Sequence, residues 1–206
     1  IRYLDRASKG KEPQRFPGRF FSLTQLQAKM APFKSGRLFD YASFYDTIYA
    51  LNAHPDLTVD AEISFPKTDA SLPVEQRVAD IDLFISEKRP VHGVVALENS
   101  GTARTGEWRP ALILQHLNLT KRDDVLTLSM GPISSDADTL LTFGASYYRP
   151  FLQRQGGITF YGGYSQLDAG EVVPGVSIEG QGWYVGAQPM FLVRSSRSSA
   201  TRLGVS

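Results

Sequence analysis

Residues 97–119 read LENSGTARTGEWRPALILQHLNL, two alternating segments on either side of a short polar loop. Successive side chains of a β-strand point to opposite faces of the sheet, so this spacing predicts a hairpin with one apolar and one polar face. The loop itself carries no nucleophile paired with a base, no metal cluster and no phosphate-binding glycine pattern. The stretch therefore predicts architecture rather than an active site.

The same alternation continues after Pro90 through about six strands, whereas the helical period disappears. A soluble β-sandwich and a membrane β-barrel both produce this pattern. Strand lengths near those of bilayer-crossing strands favour the barrel, and so do aromatic residues toward the strand ends. These aromatics are Trp108, Tyr147, Tyr148, Tyr161, Tyr164, Trp183 and Tyr184.

For a barrel, the alternation predicts two sets of wall residues. The side chains expected to face lipid are Leu97, Trp108, Leu112, Leu114, Phe143, Phe160 and Trp183. Those expected to face the lumen are Glu98, Glu107, Arg109 and Gln115.

The first part of the chain has a different character. Residues 1–21 are polar, basic and rich in Gly and Pro, which indicates a linker or the remnant of an upstream element. Residues 22–88 predict a small α+β unit with two helices, at Ser22–Phe33 and Tyr41–Leu51, and two strands, at Leu57–Phe65 and Val78–Glu87. Ser22 and Asp40 are the expected N-caps. The aromatic stripe of the second helix, Tyr41, Phe44, Tyr45, Ile48 and Leu51, is expected to pack on the sheet.

Composition argues against several functions. The formal net charge is +1, which gives no electrostatic reason to expect nucleic acid as a partner, and the absence of cysteine excludes disulfides and thiolate chemistry. His54, His92 and His116 have no metal-ligand spacing, and no G-x-S-x-G elbow is present. We therefore expect no enzyme activity, no catalytic or metal site and no cofactor.

The order of these segments resembles the two-partner secretion transporters (TpsB type, the haemolysin and filamentous-haemagglutinin exporters), a family of outer-membrane assembly proteins with POTRA (polypeptide-transport-associated) domains and a β-barrel. The resemblance extends from about Gly36 to the C-terminus. It rests on LNAHPDLTVDAEI (51–63), DIDLFISEKRPVHGVVALENSGTARTGEWR (80–109), HLNLTKRDDVLTLS (116–129), YYRPF (147–151) and the tail GWYVGAQPMFLVRSSRSSATRLGVS (182–206). PKTDASLPVEQR (66–77) lacks the family's Pro-Gly, TKRDD (120–124) lacks its turn glycine, and the Val-Arg-Gly-Phe/Tyr motif of its lumen loop is absent.

The resemblance implies a POTRA-like α+β domain at 22–88 followed, at 89–206, by antiparallel transmembrane strands of a partial barrel, as a piece of a longer protein. It implies a bacterial outer-membrane location with the POTRA-like domain in the periplasm, and residues 167–182 as the longest surface loop. The partners would be outer-membrane lipid and an unfolded secreted exoprotein, which the chain would export or insert. The alternatives are a structural or anchoring barrel subunit without transport activity, and a soluble β-rich binding protein.

Overall fold

The computed structural model describes residues 1–33, 39–65, 79–103, 106–131, 133, 140–151, 156–195 and 200–204. The chain divides into two compact units, Ile1–Arg89 and Pro90–Ser206. Within the described residues, no helix has both the length and the apolar character needed to span a membrane. The predicted loop 66–77 lies outside these residues.

The first unit is an α+β unit around a three-stranded sheet of order β1-β3-β2. Its strands are β1 (Arg2–Asp5), β2 (Leu57–Ser64) and β3 (Asp80–Glu87), and its helices are α1 (Leu23–Lys29) and α2 (Tyr41–Asn52). A single 3-10 turn follows β1 at Arg6–Ser8, and another follows α1 at Ala31–Phe33. β2 and β3 pair antiparallel, whereas β1 runs parallel to β3.

The predicted helices and strands of this unit are present, with boundaries shifted by a few residues. Asp40 caps α2 by accepting the N–H groups of Ala42 and Ser43 at 3.0 and 3.3 Å. Ser22 holds the N-cap position of α1, although its side chain makes no capping bond. Apolar residues from both helices and the sheet form one core, which includes Met30, Phe44, Leu51, Leu83 and Ile85.

The prediction of a linker at residues 1–21 is wrong. Arg2–Asp5 forms a strand of the sheet, and Phe16 and Phe21 belong to the buried core. The basic side chains that suggested a solvated arm pair with acids of the sheet: Arg2 with Asp82 at 2.5 Å, Arg6 with Asp60 at 3.1 Å and Lys9 with Glu62 at 2.9 Å. A parallel pairing across about eighty residues leaves no local periodicity from which it could be predicted.

The second unit is a seven-stranded antiparallel sheet in which every strand neighbours the next one along the chain. Its strands are β4 (Val91–Glu98), β5 (Arg109–His116), β6 (Val125–Met130), β7 (Leu140–Phe151), β8 (Gly156–Val173), β9 (Val176–Ser195) and β10 (Ala200–Gly204). The predicted count of about six omits β10.

The longest loop expected from the sequence, at 167–182, is instead a β-ribbon, since β8 and β9 continue through it to a tight turn at Pro174 and Gly175. Gly175 has a φ of 82°, a left-handed conformation that suits glycine. The β-branched residues Val172, Val173, Val176 and Ile178 favour extended backbone on both sides of the turn. Register shifts near Glu171 break the alternation from which a strand could have been recognised.

Glu87, at the end of β3, holds the segment that precedes α1. Its carboxylate accepts the backbone N–H groups of Arg19, Phe20 and Phe21 at 2.7, 2.8 and 3.0 Å. Hydrogen bonds to a charged acceptor are stronger than neutral ones, and Phe21 belongs to the core. The contact therefore fixes the entry of residues 19–21 into the fold.

Replacement of Glu87 by alanine should lower the free energy of unfolding of the first unit by about 2 kcal/mol, because three N–H groups lose their acceptor. Amide exchange at Phe20 and Phe21 should quicken in the same variant. Glu12→Ala, at an exposed position, is the control and should change neither quantity. Unchanged exchange at both amides in Glu87→Ala would show that the Glu87 carboxylate does not order residues 19–21.

Candidate functional site

The register of the second unit defines two faces of its sheet. Side chains of directly paired residues share a face, so each row of partners can be followed from strand to strand. One row joins Val95, Leu112, Met130, Phe143, Tyr164 and Trp183. We call its side the apolar face. The next row begins with Ala96 and Ala111 on β4 and β5, and the row of Thr127, Ser146 and Tyr161 lies on the same side, which we call the polar face.

Six of the seven residues predicted to face lipid lie on one face of the sheet. Leu97, Leu112, Leu114, Phe143, Phe160 and Trp183 all lie on the apolar face. Trp108 directly precedes β5 and is half exposed. Leu97 is 64% and Trp183 78% exposed, a large apolar area for a protein surface. Lipid as the cover of this face stays a prediction.

Three of the four residues predicted to face a lumen share the polar face. Glu98 and Arg109 are direct cross-strand partners, and Gln115 lies opposite Thr127 and donates a hydrogen bond to its hydroxyl at 3.2 Å. Glu107 lies outside the strands, two residues before β5. Ser100 donates to the Glu98 carboxylate at 3.3 Å. The lumen assignment of these residues stays a prediction.

The apolar face ends at a defined level on β8 and β9. Positions Trp183 to Phe191 of β9 cover about 27 Å along the strand, and the tilt of strands in a barrel would reduce this to about 20 Å across a membrane. Beyond Trp183 the same face carries the pairs Gln166–Gln181 and Asp168–Glu179. The Tyr164 hydroxyl contacts the side-chain oxygens of Gln166 and Gln181 at 3.1 and 3.2 Å. A tyrosine with an apolar ring and a polar tip suits such a boundary.

On the polar face, tyrosine rings lie across glycines of the neighbouring strand. Tyr161 pairs with Gly186, and Tyr184 pairs with Gly163. A Cβ added to Gly186 would come within 2.5 Å of the Tyr161 ring, and one added to Gly163 within 2.6 Å of the Tyr184 hydroxyl. The two ring centroids are 6.3 Å apart. Sequence reasoning missed this packing, although the segments YGGY (161–164) and GWYVG (182–186) contain both halves of it.

The polar face is also nearly free of charge in its central strands. From β6 through β8, and at 180–190 of β9, the described residues on this face are hydroxyl-bearing, small, aromatic or aliphatic, apart from the amide of Gln188 and the thioether of Met190, with no Asp, Glu, Lys or Arg among them. Such a wall can contact a polypeptide through hydrogen bonds and ring faces without holding it by an ion pair.

The turn between β5 and β6 is built without glycine. Lys121 and Asp123 take positive φ angles of 61° and 60°. Asp124 is buried, and its carboxylate accepts the Thr120 N–H at 2.9 Å and the Tyr147 hydroxyl at 2.8 Å. Burial favours the neutral carboxyl, but these hydrogen bonds outweigh it and hold the pKa of Asp124 below its usual value.

The histidines make local contacts. The Nδ1 of His54 accepts the Asp56 N–H at 3.1 Å, and its ring packs edge-on against Phe21. The Nδ1 of His116 accepts the Asn118 N–H at 3.3 Å. In the part of the chain that the structure describes, no group of three or more His, Asp or Glu side chains is placed to hold a metal ion.

The first unit has an exposed aromatic surface that the sequence did not predict. Of the stripe expected to pack on the sheet, Phe44 and Leu51 are buried, but Tyr41 and Tyr45 are 57% and 52% exposed. Tyr49 is 80% exposed. The ring centroids of Tyr41 and Tyr45 lie 4.6 Å apart with the rings tilted by 50°, and their hydroxyls hydrogen-bond at 3.0 Å. Tyrosine fits both a core edge and a wet surface, so helical spacing alone did not distinguish the two.

The edges of the three-stranded sheet are covered to different extents. On the β1 side, residues 14–16 bond to the strand: Asp5 donates to the Gln14 carbonyl at 2.7 Å, and Phe16 donates to the Tyr3 carbonyl at 3.1 Å. On the β2 side, the Asn52 side chain donates to the Val59 carbonyl at 2.9 Å and accepts the Val59 N–H at 2.8 Å.

Comparison with known proteins identifies the fold. No family model and no curated protein matches the sequence. Among solved structures, CdiB from Escherichia coli, a TpsB transporter, matches with a TM-score of 0.58 at 16% sequence identity. The match covers 91% of this chain and 38% of CdiB, so the chain spans well under half of that protein's length. The chain therefore has a fold like that of a two-partner secretion transporter, with a mostly β structure and an antiparallel sheet consistent with part of a barrel.

Gly186→Ala should destabilise the second unit by about 1–3 kcal/mol, because the new Cβ would displace the Tyr161 ring. The matched control is Gly180→Ala on the same strand, where a Cβ meets nothing within 4 Å. Denaturant titration of both variants in detergent would measure the difference. Equal stability of the two variants would mean that the ring moves aside without cost.

Asp124→Asn should lower stability at neutral pH, since a neutral amide accepts the hydrogen bonds of Thr120 and Tyr147 less strongly than a carboxylate. A pKa below the usual value means that the native carboxylate stabilises the fold above about pH 4 and loses this effect as the pH falls further. The free energy of unfolding should therefore be measured from pH 7 to pH 2 for the native protein and for Asp124→Asn. The difference in this free energy between the two should narrow below about pH 4. A difference that stays constant with pH would contradict this role.

Proposed function

We propose that this chain forms part of an outer-membrane protein that exports or inserts an unfolded partner polypeptide through a β-barrel, and that it is not an enzyme. The observation that carries the proposal is the two-faced antiparallel sheet, in which a continuous register separates an exposed apolar face from a polar face poor in charge. The fold shared with CdiB supports the same function.

In the proposed assembly, the apolar face contacts lipid and the polar face lines a lumen. The level of Tyr164, Gln166 and Gln181 then marks the outer boundary of the membrane, because beyond it the apolar face continues with the acidic pair Asp168 and Glu179. The turn that joins β5 to β6, and the ends of β7 and β8 at Phe151 and Gly156, then lie on the opposite, periplasmic side. Short periplasmic turns and longer outer segments are typical of such barrels.

The first unit takes the part of a POTRA-like domain in the periplasm. A partner polypeptide that arrives unfolded exposes backbone N–H and C=O groups, and an open strand edge can pair with them by β-augmentation. The polar face would then receive the segment without ion pairs that could trap it. No nucleotide-binding motif is present in the sequence, so we expect folding of the passenger outside the cell to drive its movement.

The full-length protein should fractionate with outer membranes, migrate faster on gels before heating than after, and form conducting channels in planar bilayers. Secretion of its partner should fail when the first unit is deleted, while membrane insertion persists. A soluble full-length protein would refute the membrane proposal. Correct insertion without conductance or export would instead support an anchoring subunit.

A further inference from the structure

A groove interrupts the apolar face of the second unit. It lies across β5 to β8 and has a volume of about 490 Å³. At Ala145 the sheet carries only a methyl group, and the partner of this residue on β8 is Gly162, which has no side chain. Larger apolar and aromatic side chains surround this low point: Leu112, Leu114, Leu128, Met130, Phe143 and Tyr164. The groove therefore has a shallow floor between walls that suit a hydrocarbon chain.

One end of the groove lies at Tyr164, where the apolar face ends. The Tyr164 hydroxyl contacts the Oε1 atoms of Gln166 and Gln181 at 3.1 and 3.2 Å. Because the oxygens of both glutamines face this hydroxyl, their side-chain NH2 groups can donate to another acceptor. The end of the groove thus offers hydrogen-bond donors that carry no charge.

The next row on the same face is acidic. Asp168 and Glu179 are direct cross-strand partners, and like charges directly opposite each other destabilise a sheet. Among the described residues, neither carboxylate has a Lys or Arg partner at ion-pair distance. The Asp168 carboxylate accepts the Gly170 N–H at 2.8 Å, which does not neutralise its charge. A cation placed between these two carboxylates would remove their repulsion.

The three levels of this face have the spacing of a lipid molecule. Alternate residues of a strand are about 7 Å apart, so the glutamines lie about 7 Å and the acids about 14 Å beyond Tyr164. The tilt of barrel strands reduces these distances to about 5 and 10 Å along the membrane normal. The polar layer on each side of a bilayer is about 5–8 Å thick. The glutamines then lie at the depth of ester and phosphate oxygens, and the acids lie at the outer limit of the headgroups.

We propose that this groove binds one phospholipid with an ethanolamine headgroup. One acyl chain lies over Ala145, and the NH2 groups of Gln166 and Gln181 donate to ester or phosphate oxygens. The ammonium lies between Asp168 and Glu179. The placement of this face in a membrane rests on the proposed function.

Charge and hydrogen bonding together select this headgroup. A primary ammonium has three N–H donors and forms charge-assisted hydrogen bonds with both carboxylates. The quaternary ammonium of a choline headgroup carries the same charge but has no N–H to donate. A glycerol headgroup leaves the negative phosphate beside two carboxylates, which repel it. The site therefore distinguishes lipids of equal chain length by their headgroups.

Native mass spectrometry of the full-length protein in detergent, titrated with dioleoyl lipids of these three headgroups, tests the proposal. One phosphatidylethanolamine should bind about tenfold more tightly than phosphatidylcholine or phosphatidylglycerol. Equal affinity for the three lipids would overturn the proposal. Phosphatidylglycerol that binds as tightly with Mg²⁺, and is released by a chelator, would also overturn it, because the ligand would then be an anionic lipid bridged by a cation.

Two pairs of variants assign the parts of the site. Asp168→Asn combined with Glu179→Gln should abolish the preference for ethanolamine, whereas Glu171→Gln on the same ribbon should keep it. Ala145→Phe fills the groove and should weaken the binding of all three lipids about fivefold. Ala187→Phe, on the same face of β9 but outside the groove, is its control. A preference that persists in the double variant, or equal losses in the two phenylalanine variants, would refute the assigned residues.

Failure of the lipid site can be distinguished from failure of the proposed function. Heat-modifiable migration and channel conductance report on the inserted barrel, and every variant should retain both. A protein that inserts and conducts but binds the three lipids equally would refute only the lipid site. A protein that prefers the ethanolamine lipid but neither conducts nor exports would refute only the transport proposal.

Discussion

The continuous register of the seven-stranded sheet is the constraint on which the rest of the structure depends. Because side chains alternate with a period of two residues, a shift of one residue in the pairing of a strand would move all of its apolar side chains to the polar face. Five successive pairings, from β4 to β9, keep the rows aligned without an interruption until the ribbon near Glu171. The faces are therefore a property of the whole ladder rather than of any single strand.

Glycine and tyrosine help to keep that ladder in place. A ring that lies over the backbone of Gly163 or Gly186 fits only if the partner strand presents a residue without a Cβ at that position. A slip in pairing would put Ser165 or Tyr184 under the ring instead, with a steric cost. The tyrosine–glycine pairs of the polar face therefore also specify how β8 and β9 align.

Sequence alone predicted the alternation, and with it the grouping of Leu112, Phe143 and Trp183 on one face, because period two is a local property of the chain. It also located α2, β2 and β3 within a few residues. It could not predict β1, since Arg2–Asp5 acquires its strand character from β3, far along the chain. From the sequence, a loop was predicted through Asp168 and Gly175. Turn-forming residues interrupt the strand pattern there, but the strands remain paired. The exposure of Tyr41 and Tyr45 was not predicted, because helical spacing shows which side of the helix a residue lies on but not how deeply it is buried.

The ribbon formed by the ends of β8 and β9 holds its turn well clear of the apolar face. From Tyr164 to Val173 the strand extends about 30 Å, and a paired ribbon is much stiffer than a loop of the same length. The conformational entropy of this segment is already lost when the chain folds. A molecule that binds at the turn of Pro174 and Gly175 therefore contacts a preorganised ribbon rather than a coil that must first be ordered. The ribbon also carries three acidic side chains, Asp168, Glu171 and Glu179.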